Sequence, residues 1–182
     1  MVRGIGGVVI GCEVIMSGSG SQEKRRKQDE LDLLFTRASK RWDEGRLTSA
    51  FRLFLAGAKA GDYGAQLNLG TFYSDGIGVK RNRSQALYWY RRAYARGDGA
   101  AASNIGVVYR DEGNLRSALE WFLRAVKFKD ADANLEIAKI YIQKGETEKA
   151  LACLKRVRTA KAGYATEASR EEAQKLLEDY QK

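Results

Sequence analysis

The sequence has 182 residues, 44% of them apolar, with 32 Lys+Arg against 23 Asp+Glu and neither His nor Pro. That is enough apolar material for one core or a short repeat array, and it excludes a disordered tail. The absence of His removes Ser-His-Asp and Cys-His catalysis and every His-ligated metal. The two cysteines, Cys12 and Cys153, cannot build a disulfide scaffold or a four-thiolate zinc site. A net charge of +9 admits an acidic protein, a nucleic acid or an anionic membrane as partner without choosing among them.

The first elements carry little chemistry. The apolar run Val8-Val9-Ile10 is set among glycines and ends at Glu13, too short to span a bilayer. Val9-Ile10-Gly11-Cys12 resembles a bacterial lipoprotein cleavage box, with Arg3 as its charged start. This would make Cys12 a lipidation site and the protein envelope-anchored. The apolar stretch is weaker than a signal peptide requires. The preferred reading is a disordered or processed leader over residues 1–27, with an ordinary cytoplasmic start near Met16. The basic cluster Lys24-Arg25-Arg26-Lys27 reads as a solvated helix start.

From residue 28 onward the chain repeats itself. Ala50, Ala86, Ala118 and Ala150 share one register. Three residues on stand Leu53, Trp89, Trp121 and Cys153; four on stand Phe54, Tyr90, Phe122 and Leu154; seven on stand Gly57, Ala93, Ala125 and Val157. Offsets of 3, 4 and 7 mark one face of a helix, small at its ends and large in its middle. A second register precedes the first: Ala38, Gly70, Gly106 and Ala138, followed three residues later by Tyr73, Tyr109 and Tyr141 in three copies and by Arg41 in the first. Five residues before this register stand Leu33, Ala65, Ala101 and Ala133. Each copy is therefore two amphipathic helices. Gly45, Gly113 and Gly145 fall between them, where a helix C-terminus favours Gly. Copy two has a longer turn, Asp75 to Arg83. Asp62, Asp98 and Asp130 stand where they can cap the next helix.

The predicted helices span 28–43, 46–60, 63–74, 84–96, 99–111, 115–128, 131–143, 147–160 and 166–181, the last capped by Thr166. The predicted repeats are 28–62, 63–98, 99–130 and 131–162, followed by a capping helix in 163–182. A terminal cap is needed because the last repeat would otherwise expose its core face.

These residues resemble tetratricopeptide and Sel1-like repeats. Copy two, Ala65 to Val79 continued by Ala86 to Ala93, looks like a Sel1-like repeat. The copies with the shorter turn look more like tetratricopeptide repeats. The resemblance implies an all-α fold: a right-handed α-solenoid of about four helix-turn-helix repeats. It further implies that the solenoid binds protein segments on the concave face formed by the first helices, without catalysis. Two features depart from the pattern. No copy carries the Pro that often ends a tetratricopeptide repeat, and copy one lacks the Gly/Tyr pair.

The partner-binding candidates are accordingly Phe35, Ser39, Asn68, Thr71, Ser74, Asn104, Val107, Arg110, Glu136 and Lys139. Asn68 and Asn104 recur in register, and an Asn can pair with an extended peptide backbone. The repeat core is assigned to Gly70, Tyr73, Ala86, Trp89, Ala93, Gly106, Tyr109, Ala118, Trp121, Ala125, Tyr141 and Ala150. Cys153 shares the Trp register and reads as a small buried hydrophobe. A carboxylate clamp for a partner's C-terminus would need cations and Asn at Phe35, Ser39, Asn68, Ala100 and Asn104; only Asn68 fits.

No cofactor, metal or small-molecule substrate is expected, and no nucleotide fingerprint or calcium loop is present. The function this supports is a cytoplasmic, bacterial protein–protein interaction scaffold. A nucleic acid or anionic surface is the alternative partner. That alternative rests on charge: residues 46–61, 80–97, 114–129 and 146–161 carry +3, +6, +3 and +3. The rest of the chain is therefore net acidic, and the excess sits on the second helices.

Overall fold

The computed structural model describes residues 16–180. Cys12 and its lipidation reading lie outside the described residues. The described chain is all α: α1 Met16–Asp43, α2 Leu47–Ala60, α3 Tyr63–Asp75, α4 Arg83–Tyr94, α5 Gly99–Arg110, α6 Leu115–Lys127, α7 Ala133–Gln143, α8 Thr147–Arg158 and α9 Glu167–Asp179. Helices one and two of each repeat pack together, and each second helix packs on the first helix that follows. Helix pairs stacked in this order make an α-solenoid, closed at its C-terminal end by α9.

The largest departure from the sequence-based elements is at the start. α1 begins at Met16, not near 28, so residues 16–27 are helix rather than disordered leader. Gln22 to Lys27 are strong helix formers with no breaker among them. Residues 20–30 are nonetheless exposed throughout, so this extension is held by its own backbone ladder and not by packing.

Turns and caps follow local chemistry. Gly113 and Gly145 sit at φ +74° and +71°, which only Gly adopts freely. The Asp62 and Asp98 carboxylates accept from the backbone N–H groups of Ala65 and Ala101, and Asp130 does the same for Ala133 at 3.3 Å. Thr166 Oγ1 accepts from Ser169 N at 3.2 Å. The Arg170 guanidinium donates to the carbonyls of Ala160 (2.8 Å), Lys161 (3.2 Å) and Arg158 (3.3 Å), which ties α9 to the end of α8.

The repeat registers become the core. Ala50, Ala86, Ala93, Ala118, Ala125, Ala150 and Val157 are completely buried, as are Ala38 and Ala138. Phe54, Tyr90, Phe122 and Leu154 fill the space between them, each no more than 3% exposed. Full burial of one such side chain is worth about 1.5–3 kcal/mol. The +3 register is shallower: Trp89 and Cys153 are buried, but Trp121 is half-buried, with the Arg124 guanidinium 4.3 Å over its ring. Tyr73, Tyr109 and Tyr141 are also half-buried at the edge of the core.

Gly70 and Gly106 receive the rings of the second helix of their own repeat: Tyr90 on Gly70 and Phe122 on Gly106. Between repeats the approach is also tight, since a Cβ on Gly57 would stand 3.2 Å from Ala65 Cβ. Position 65 faces the preceding repeat, and its counterparts Ala101 and Ala133 are buried too. In repeat one the counterpart is Leu33. It is 57% exposed because no helix packs on that side of α1 among the described residues.

Candidate functional site

The candidate groove is the surface presented by α1, α3, α5 and α7. Its predicted contact residues divide into three groups. Phe35 is half-buried, edge-on to Phe54 at 5.6 Å, and its ring lies over Gly64. It belongs as much to the core as to the surface. Asn68 Nδ2 donates to Gly64 O at 3.1 Å within its own helix, so its donor is not aimed at a partner. Thr71 Oγ1 lies 3.4 Å from Leu67 O and 3.2 Å from the Tyr90 hydroxyl. Burial raises the Tyr90 pKa, the Thr71 hydrogen bond opposes this, the Asp75 charge adds to it, and Ser74 opposes it again. Thr71 therefore anchors the hydroxyl of Tyr90, whose ring lies on Gly70. These are bonds inside the fold at three residues read from the sequence as partner contacts. They arise because short polar side chains on a helix find backbone or cross-helix partners first.

The second group forms an ion-pair network. Arg110 pairs with Asp111 at 2.9 Å and with Glu136. Lys139 pairs with Glu136 at 3.1 Å and with Glu172 at 2.9 Å. Three predicted contact residues are thus brought together in one ladder running from α5 over α7 to α9. Burial alone would lower the pKa of Lys139, but hydrogen bonds to Glu172 and Glu136 and their charges outweigh it and raise it. Arg110 behaves likewise through Asp111 and Glu136. Glu172, which completes the ladder, was missed because it lies in a helix outside the repeat register.

The third group makes no polar side-chain contact within the described residues, though Val107 packs against the core. Asn104 and Val107 are half-buried on α5, and Ser39 is half-buried on α1. The side chain of Asn104 makes no hydrogen bond within the described residues. Its neighbour Ser103 differs, donating to the Asp130 carboxylate across to the start of the next repeat.

A profile of the Sel1 repeat matches residues 64–98, and one of the tetratricopeptide repeat matches residues 100–132 and again 131–161. The chain is a Sel1-like and tetratricopeptide helical-repeat protein. No curated protein matches its sequence. Among the solved structures that match its fold are the following three. A Sel1 repeat protein from Oxalobacter formigenes is 23% identical, with 72% of this chain and 64% of that chain covered and a TM-score of 0.53. The antigen c5321 of uropathogenic Escherichia coli, described as displaying an SLR fold, is 19% identical over 87% of this chain and 35% of its own, with a TM-score of 0.67. MamA is 20% identical over 78% of this chain and 90% of its own, with a TM-score of 0.56. The chain spans less than two thirds of the length of the first two.

In this helical-repeat protein two clefts open along the first helices. One, of about 480 Å³, lies between α1 and the start of α3 and is lined by Asp32, Phe35, Asp62 and the exposed Tyr63. The other, of about 340 Å³, is made by the longer turn of the Sel1-like repeat, where Ser74, Arg81 and Arg83 face Val108, Asp111 and Glu112. Arg83 pairs with Glu112 and stands 5.6 Å over the Tyr109 ring. Among the described residues no group of three or more His, Cys, Asp or Glu could hold a metal, and no helix is long and apolar enough to cross a membrane.

Proposed function

We propose that this repeat protein holds an extended segment of a partner protein in the groove over α3 and α5. Sel1-like and tetratricopeptide repeats are generally protein–protein interaction scaffolds, and their likeness here supports the class of function. The observation that carries the groove assignment is Asn104. The residue is half-buried and its side-chain carboxamide makes no hydrogen bond within the described residues, while neighbouring polar groups are engaged. A carboxamide offers both donors and acceptors, which matches a peptide backbone. Val107 lies one turn away and supplies an apolar contact beside it. The C-terminal part of the groove is neutralised by its own ion pairs, so it favours no strongly charged ligand. Because the helices are preformed, little ordering cost opposes binding.

A photo-crosslinker at position 104 should capture a partner from the native cell that the same group at position 116 on α6 does not. The captured segment should then bind the purified protein. Asn104→Ala should weaken that binding by tenfold or more with an unchanged melting temperature, and Val107→Arg by as much with some loss of stability, because Val107 packs against the core. Equal capture at both positions, or unaltered affinity of both variants, would refute the groove.

A further inference from the structure

Each second helix can be counted from its first buried alanine. Six residues after Ala86, Ala118 and Ala150 stand Arg92, Arg124 and Arg156; repeat one has Ala56 there. The three arginines are in phase, one per repeat, and all are exposed. None has a carboxylate partner among the described residues, whereas Arg110 and Lys139 on the groove are each paired twice. Two of the three lie over aromatic rings. Arg92 stands 5.8 Å from the Tyr88 centroid and 5.7 Å from that of Trp89, and donates to the Tyr88 hydroxyl at 3.0 Å. Arg124 stands 4.3 Å over Trp121. A ring beneath a guanidinium holds its plane while leaving N–H groups directed outward.

Apart from Glu120, which pairs with Arg116 on α6, the surroundings of this row are basic and partly apolar. Position five after the alanine carries Arg91, Leu123 and Lys155, and position nine adds Lys59 and Lys127. Leu123 is 45% exposed and Tyr88 47%. Carried once per repeat on α4, α6 and α8, the cations form a two-dimensional array across three successive repeats and not a single track.

We infer that the outer face of α4, α6 and α8 docks on an anionic phospholipid surface through Arg92, Arg124 and Arg156, with Leu123 entering the headgroup layer. Guanidinium groups pair with phosphate in two-point fashion, and an exposed leucine among cations is the composition of an interfacial face. Single-stranded nucleic acid fits less well. It binds by stacking bases on open rings, whereas Trp89 is only 6% exposed and the exposed Tyr88 and half-buried Trp121 already carry Arg92 and Arg124 over their rings. This docking face is independent of the groove reading and stands or falls separately.

The test is sedimentation of the full chain with phosphatidylcholine vesicles, with and without phosphatidylglycerol. Binding should require phosphatidylglycerol and weaken with salt. Each arginine near such a surface contributes about fivefold to binding. The triple variant R92Q/R124Q/R156Q should therefore partition about 100-fold less, and R124Q alone about fivefold less. The variant K24Q/R26Q/K27Q, which removes the same charge from the exposed part of α1, should bind within twofold of the parent. Leu123→Asp touches an exposed side chain and so spares the fold; it should lose at least tenfold even if the triple variant melts early. Absence of binding at low salt, equal loss in the α1 variant, full binding by Leu123→Asp, or tighter binding to labelled single-stranded RNA than to the vesicles would each overturn the assignment.

Discussion

Phe122 lies so close to Gly106 that a Cβ on the glycine would stand 2.7 Å from Cε1 of the ring. The contact locks the two helices of repeat three, and the equivalent contact in repeat two is Tyr90 on Gly70. Repeat four solves the same problem with Ala138 and Leu154, a larger first residue and a smaller second one. Gly106→Ala should therefore destabilise the protein by about 1–2 kcal/mol: overpacking costs about 1–3 kcal/mol and better helix propensity returns up to about 1. In a Phe122→Leu background the same substitution should cost nothing or stabilise. Denaturant melts of the four proteins give the coupling, and an equal cost in both backgrounds would rule out the ring as the cause.

The registers that contain these pairs are readable in the sequence because every repeat must show its neighbours the same small and large side chains. Ala86, Ala118 and Ala150 recur for that reason, and so does the phase of Arg92, Arg124 and Arg156. What escaped reading has no period. The part of α1 from Met16 to residue 27 has no apolar stripe, and its helicity comes from propensity and local backbone bonds. Glu172 meets Lys139 only because α9 folds back beside α7. Thr71 and Ser74 look outward on a helical wheel, yet in space the Tyr90 hydroxyl reaches them.

The ladder Arg110–Glu136–Lys139–Glu172 is structural in part. Its side chains are 20–47% exposed, so each pair is worth about 0.5 kcal/mol. Glu136→Gln removes two charged contacts at once and should lower stability by about 1 kcal/mol, with Glu172→Gln costing about half as much. Reversing both cations, Arg110→Glu with Lys139→Glu, gathers like charges around Glu136 and Glu172 and should cost more than either. Equal melting temperatures for parent and Glu136→Gln would show that the ladder contributes nothing. Groove binding is for this reason better probed at Asn104 and Val107.

Tyr90, Lys139 and Cys153 act on the alkaline limit. Tyr90 is 3% exposed, and burial raises its pKa above the ordinary 10.0, so the folded state favours the neutral phenol. Lys139 is held above its ordinary 10.5 because its hydrogen bonds to Glu172 and Glu136 outweigh burial, so the folded state favours the ammonium. Both raised values act in one direction: their contribution is complete below the unfolded pKa and is lost as pH rises through the folded one. With the buried Cys153 thiol also raised above its ordinary 9.0, these groups predict a stability that holds up to about pH 9 and falls above it. Tyr90→Phe should make the alkaline fall shallower while leaving the neutral-pH fold intact. The check is urea unfolding as a function of pH, and an unchanged slope in that variant would remove Tyr90 from the account.

Cys153 reports on the stability of repeat four. Its side chain is 5% exposed in the face shared by α7, α8 and α9, and burial raises the thiol pKa, with Arg156 only partly opposing this. The reactive species is the thiolate, so both access and ionisation protect the residue. Iodoacetamide should label native Cys153 at least 100-fold more slowly than the urea-unfolded thiol. Glu172→Gln and Leu177→Ala loosen α9 and should speed labelling of the native protein, the second more, because Leu177 is 3% exposed in the same cluster. Loss of such a buried leucine costs about 2–5 kcal/mol. Labelling of the native protein at the unfolded rate, followed by mass spectrometry of the peptide containing Cys153, would show that α9 does not cover this face in solution.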